Sequence, residues 1–155
     1  EVRRQWPHAS MAINWCYNEP WPTAAGNGLV NYPARPRRSY YGVKEALRGK
    51  KLSLGFSRIA WRPGDQMQVT AWVLNDTASS IPDGYAVVLM EADGEERVLG
   101  EWRYRQTQPW SNQKGECFTF AVPKTKSGRF GLKIVSKREL ELHAEYSFFV
   151  HENAV

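Results

Sequence analysis

The stretch Gln66-Met67-Gln68-Val69-Thr70-Ala71-Trp72-Val73-Leu74-Asn75 sets Met67, Val69, Ala71 and Val73 against Gln66, Gln68 and Thr70. Strand side chains point alternately to two faces, so this period of two predicts a strand with one face in a core and the other toward water. Upstream, Arg62-Pro63-Gly64-Asp65 reads as a turn and Leu52 to Trp61 as the strand before it. Downstream, Gly84 to Ala92 and Glu96 to Gln106 flank Asp93-Gly94, a dipeptide that tolerates positive φ and so favours a tight hairpin. Glu116 to Val122, Arg129 to Val135 and Leu140 to Val150 complete the set, the last placing Leu140, Leu142, Ala144, Tyr146, Phe148 and Val150 on one face. About seven short antiparallel strands separated by turns predict a mainly β fold, an immunoglobulin-like antiparallel β-sandwich.

Before Leu52 the pattern differs. Met11, Ala12 and Ile13 form a short apolar run of the kind found in a strand covered on both faces, and Asn14 to Pro22 follows as a polar and aromatic cluster. Pro20 and Pro22 end the run, because neither can donate to a ladder. After Gly26 and Gly28, the segment Pro36 to Arg48 carries Tyr40, Val43 and Leu47 at helical spacing, with Pro36 suited to a first turn and Gly49 to a C-cap. Strand, loop and helix make one βα unit. The polar segment Arg48-Gly49-Lys50-Lys51 divides the two patterns, predicting one unit at residues 1–50 and a sandwich at 51–155.

Composition narrows the functional classes. The 155 residues, 42% of them hydrophobic, suffice for one core and part of another, but a closed (β/α)8 barrel needs roughly 200 residues or more. No apolar run approaches the roughly 18 residues of a membrane helix, and the start at Glu1, without a signal-like segment, reads as an excised piece of a longer protein. The net charge of +5 is spread among acidic residues, with only Arg35, Arg37 and Arg38 clustered as a solvated helix start, so no nucleic-acid partner is expected. Cys16 and Cys117, with His8, His143 and His151, lack metal-ligand spacing; no metal and no cofactor is expected.

One order of motifs is more specific. Trp15-Cys16-Tyr17-Asn18-Glu19-Pro20-Trp21-Pro22, then Leu29-Val30-Asn31-Tyr32, Arg35-Pro36 and Tyr40-Tyr41-Gly42-Val43-Lys44, resembles the end of the catalytic barrel of family 2 glycoside hydrolases. The similarity is closest to the β-mannosidase and exo-glucosaminidase branch. Cys16 and Tyr17 stand where the mannosidases usually carry Gln and Leu, Glu19 and Asn31 where they carry Asp, and Arg35 where they carry Lys. The resemblance covers about the first third of the chain and implies a βα remnant of a (β/α)8 barrel, followed by an accessory sandwich. It implies a parent enzyme acting on β-linked glycans with two carboxylates on earlier barrel strands, so this chain should hold no catalytic residue and be inactive alone.

By the same resemblance Trp15 would floor the subsite for the non-reducing sugar. Its indole offers a flat apolar face to a pyranose and an N–H to a partner. Asn18 reads equally as a donor to a sugar hydroxyl, an orienter of Trp15 or a loop cap. Glu19 matches a pocket-shaping position, and Trp21 is expected to pack beneath the loop. Related enzymes often have a cis peptide after the barrel-end tryptophan, whereas in this chain Trp15-Cys16 is expected to be trans. With its barrel neighbours absent, the strand 11–17 would be open to self-association. The resemblance fixes no compartment; a periplasmic or secreted location is the working expectation.

The competing class is a non-catalytic carbohydrate-binding or protein-interaction β-sandwich. Trp102, Tyr104 and Trp110 would be its aromatic platform, although cross-strand packing accounts for them as well. Asn75-Asp76-Thr77 fits the glycosylation acceptor pattern, but Asn-Asp in a hairpin connection is ordinary turn chemistry.

Overall fold

The computed structural model describes residues 1–9, 11–24, 26–139 and 141–151. The chain divides into a compact unit from Val2 to Arg48 and another from Gly49 onward.

In the first unit, a 3-10 turn at Val2–Gln5 precedes a long irregular stretch, then β1 (Val30–Asn31), β2 (Arg35–Pro36) and the helix α1 (Arg38–Ala46). The expected strand from Met11 to Tyr17 is not formed. The backbone alongside is that of residues 29 and 30: Leu29 and Val30 donate to the Tyr17 carbonyl at 2.9 and 3.0 Å, Glu19 donates to the Val30 carbonyl, and Asn18 bridges Val30 in parallel. A ladder needs a continuous partner, and two residues do not supply one. Met11, Ala12 and Ile13, expected to be buried, are exposed. The Trp15-Cys16 peptide is cis, correcting the expectation of trans. Contacts inside the chain hold the Cys16 carbonyl, which accepts from Asn14 Nδ2 at 2.9 Å and from the Leu29 amide at 3.3 Å.

The helix is shorter than its spacing predicts at both ends. Pro36 pairs with Val30 in the β1–β2 hairpin and so is not in the first turn. At the other end the cap is Leu47, and Gly49 belongs to the second unit, where its carbonyl accepts from the Asp76 amide.

The second unit is the predicted β-sandwich. Its strands are β3 (Lys50–Gly55), β4 (Ala60–Trp61), β5 (Gln66–Asn75), β6 (Gly84–Ala92), β7 (Glu95–Tyr104), β8 (Ser111–Ala121), β9 (Arg129–Ser136) and β10 (His143–Val150). One sheet runs β3-β5-β8 and the other β4-β10-β9-β6-β7. The run read as one strand from Leu52 to Trp61 is two, because the chain leaves the first sheet after Gly55 and joins the second at Ala60. There β4 pairs in parallel with β10, the one departure from the expected antiparallel set among the described strands. Leu140, expected at the start of the last strand, lies outside the described residues.

Inward side chains alternate as the period of two requires. Met67, Val69, Ala71 and Val73 from β5 meet Ala86, Val88 and Met90 from β6, Leu132 and Ile134 from β9, and Phe148 from β10 in one core. Phe130 stacks on Phe148 with centroids 5.0 Å apart, and Phe56 meets Phe148 edge-on at 4.9 Å. Such pairs add about 0.5–1.5 kcal/mol beyond burial of their area.

The sheets meet along β7 and β8 through two glycine–aromatic pairs. A Cβ on Gly100 of β7 would lie 2.4 Å from the Phe118 ring of β8, and a Cβ on Gly115 of β8 would lie 2.3 Å from the Trp102 ring of β7. The register slips beside each glycine, between Val88 and Leu89 on one side and between Thr70 and Trp72 on the other. A bulge with glycine lets the backbone bend and leaves room for the ring from the opposite sheet.

Candidate functional site

Glu19 is the best-anchored residue of the Trp15 to Pro22 loop. Its Oε1 accepts from Arg37 Nη2 at 2.8 Å, and its side chain is only 9% exposed. The same guanidinium donates through Nη1 to the Gly26 carbonyl at 2.7 Å and through Nε to Asn31 Oδ1. One arginine at the start of α1 thus ties the loop after residue 18, the glycine loop and β1. Gly26 fits only because it has no Cβ, which would stand 1.5 Å from Glu19 Oε1. Hydrogen bonds to charged groups contribute about 1.5–3 kcal/mol each when buried and less where, as at Arg37, the side chain is about a third exposed.

Arg37 therefore does not belong to a solvated helix start, as its sequence neighbourhood suggested. A cation at a helix N-terminus faces the positive end of the helix dipole, and that mismatch was the legible sign of a compensating carboxylate. The Glu19 carboxylate is paired with Arg37 at the edge of the loop.

Trp15 stands out from this anchored loop with 81% of its surface exposed, and Asn18 is exposed too. A groove of about 690 Å³ is lined by Tyr17, Asn18, Glu19, Tyr32 and Tyr40. A second, of about 740 Å³ and more apolar, runs along Ile13, Tyr17, Leu29, Val43 and Leu47. The structure brings Asn18 and Glu19 to the first groove, whereas Trp15 lines neither. Trp21, expected beneath the loop, is 65% exposed and lines a smaller cleft with Cys16, Asn18 and Gly26.

In the sandwich, Trp102 and Tyr104 are core residues and not a platform. The Tyr104 hydroxyl bonds Ser136 Oγ at 2.8 Å, and burial pushes its phenol pKa above the ordinary 10.0. Asn75 is fully buried. Its Nδ2 donates to the carbonyls of Ser79, Thr107 and Gln108, and its Oδ1 accepts from the Thr77 amide and hydroxyl. A glycan on that nitrogen is incompatible with this fold, so Asn75-Asp76-Thr77 is a turn lock. Asp93 at the β6–β7 turn accepts from the Lys126 and Ser127 amides, and the Lys126 amide foremost holds its carboxyl below the usual range.

Among the described residues no group of three or more His, Cys, Asp or Glu side chains could hold a metal ion, and both cysteines are free thiols. No helix among them is long and apolar enough to cross a membrane.

No family model and no curated protein matches the chain. Solved structures do. Spo0M, a sporulation control protein from Bacillus subtilis, is 18% identical with a TM-score of 0.44 over 68% of this chain and 50% of that one. A cycloisomaltooligosaccharide glucanotransferase from Paenibacillus, complexed with cycloisomaltoheptaose, is 13% identical with a TM-score of 0.51 over 66% of this chain and 14% of that one. A β-glucosidase from Listeria innocua, in complex with gluconolactone, is 9% identical with a TM-score of 0.45 over 65% and 16%. The chain thus spans half or less of each of these, two of which are glycoside-processing enzymes by name. At such identities the likeness shows the β-sandwich fold alone.

Proposed function

We propose that the chain is a C-terminal part of a retaining, exo-acting glycoside hydrolase for β-linked glycans. Residues 1–50 would be its last βα segment and residues 51–155 its accessory sandwich. The observation that carries this reading is Trp15, an indole presented to solvent on a loop anchored by Glu19 and Arg37. In the intact enzyme Trp15 stacks on the sugar, Asn18 donates to a hydroxyl, Glu19 holds the loop, and carboxylates elsewhere perform the double displacement. The similarity of the solved glucanotransferase structure to the sandwich is in keeping with this reading.

The test is Trp15→Ala in the chain joined to the segment that carries the carboxylates. The value of kcat/KM on aryl β-glycosides is expected to fall about 100-fold with secondary structure unchanged, as lost sugar positioning requires. An unchanged kcat/KM overturns the assignment. The 155-residue chain alone is expected to release no aryl group from these substrates, and turnover that disappears on Glu19→Gln would make Glu19 catalytic instead.

A further inference from the structure

The turn Gln108-Pro109-Trp110-Ser111 puts its bulkiest residue where the backbone least favours it. Trp110 has φ of +54°, the region that glycine occupies at the third position of a proline-led turn. Burial does not compensate, since the ring is 61% exposed. Nor is the turn loosely held: Ser111 Oγ donates to the Gln108 carbonyl at 2.7 Å, the Trp110 amide donates to the Thr77 carbonyl, and buried Asn75 clamps Thr107 and Gln108 from below. The fold thus maintains an exposed indole in a backbone conformation that a smaller residue would adopt more readily. Strained and exposed aromatic positions of this kind point to a binding role.

The surroundings select the ligand. From Gln106 to Gln113 the sequence Gln-Thr-Gln-Pro-Trp-Ser-Asn-Gln holds no charged residue, in a chain that is 24% charged. Gln106 and Gln108 are exposed beside the indole in sequence. An indole at a membrane or a protein hot spot usually sits among other apolar or cationic side chains. An apolar face flanked along the chain by neutral amide and hydroxyl side chains suits a ligand with an apolar C–H face and a rim of neutral hydroxyls, namely a pyranose. We propose that Trp110 is the stacking residue of a neutral-glycan site on the sandwich, independent of the role assigned to Trp15.

The experiment follows the indole N–H resonances of the 15N-labelled 155-residue chain during titration with the pentaoses of cellulose, mannan, xylan and chitin. The expected result is movement of the Trp110 resonance with at least one of them, with Kd on the order of 1 mM. Trp110→Gly is expected to abolish that binding while lowering the melting temperature by no more than about 2 °C, since glycine is at ease at this φ. Trp110→Phe should retain weakened binding. A Trp110 resonance unmoved by all four pentaoses overturns the proposal. Binding that survives Trp110→Gly does so too, as does a large loss of stability in that variant, which would make the ring structural. Movement of the Trp15 resonance alone would leave the proposed function standing and remove this site.

Discussion

A fully buried amide such as Asn75 stabilises the fold only while all its partners are present, because a buried group left unpaired costs about 1–3 kcal/mol. Asn75→Ala would take the shared Nδ2 donor from the Ser79, Thr107 and Gln108 carbonyls, leaving them to Thr77 Oγ1, the Ile81 amide and Ser111 Oγ, and would take the Asn75 Oδ1 acceptor from the Thr77 amide. We expect a loss of about 2–4 kcal/mol in urea unfolding; a change under 1 kcal/mol would show that water replaces the amide. The Tyr104 hydroxyl gives a pH signature. Its folded pKa is raised chiefly by burial, so the unfolded chain gives up the phenolic proton first. The contribution of Tyr104 is therefore fully present below about pH 10 and is lost as the pH climbs through the raised folded value. Stability should fall in that window for the wild type and less steeply for Tyr104→Phe. Neither residue's buried role was legible in the sequence: Tyr104 fits a platform or cross-strand packing, Asn75-Asp76-Thr77 a turn or an acceptor pattern, and only burial separates the alternatives. Trp15, Asn18 and Glu19 were read together from the motif; Asn18 and Glu19 line one groove and Trp15 does not, and the arginine that holds Glu19 lies 18 positions away, beyond local pattern.

Strand elements were legible wherever a single face is buried without interruption, as in β5, β6, β9 and β10. Legibility failed where parity changes. Inward residues run 52, 54 and 56 and then jump to Trp61, which marks the crossing from one sheet to the other that a single predicted strand concealed. β8 begins at Ser111, five residues before its expected start, because its first half lacks apolar side chains and its register slips near Gly115. The same slip makes a prediction about the closed side of the sandwich. Gly115→Ala places a methyl group 2.3 Å from Trp102, a ring only 5% exposed and locked beside Tyr104. Overpacking of this kind costs about 1–3 kcal/mol, measurable as a lower urea midpoint with unchanged slope. A Gly115→Ala variant as stable as the wild type would mean that Trp102 can rotate away freely. Short elements such as β1 and β2 were not legible at all, since two residues carry no period.

At the scale of the molecule, the two units differ in how they treat apolar residues. The sandwich buries its alternating set, whereas Met11, Ile13, Trp15 and Tyr17 repeat with the same period of two and are between 62% and 82% exposed. α1 likewise buries none of its residues. An apolar series of this spacing, with backbone donors and acceptors not taken up in a ladder, favours pairing with a further extended segment. The expected outcome is that the 155-residue chain associates in solution through residues 11–17, with a light-scattering mass that rises with concentration. Ile13→Asp would oppose this by putting a charge into the pairing face, at a desolvation cost that apolar neighbours cannot offset. That variant should stay monomeric across the same range with the sandwich intact by circular dichroism. A wild-type chain that remains monomeric at the highest concentration reached, or an Ile13→Asp variant that associates as well as the wild type, would remove the segment as the point of contact.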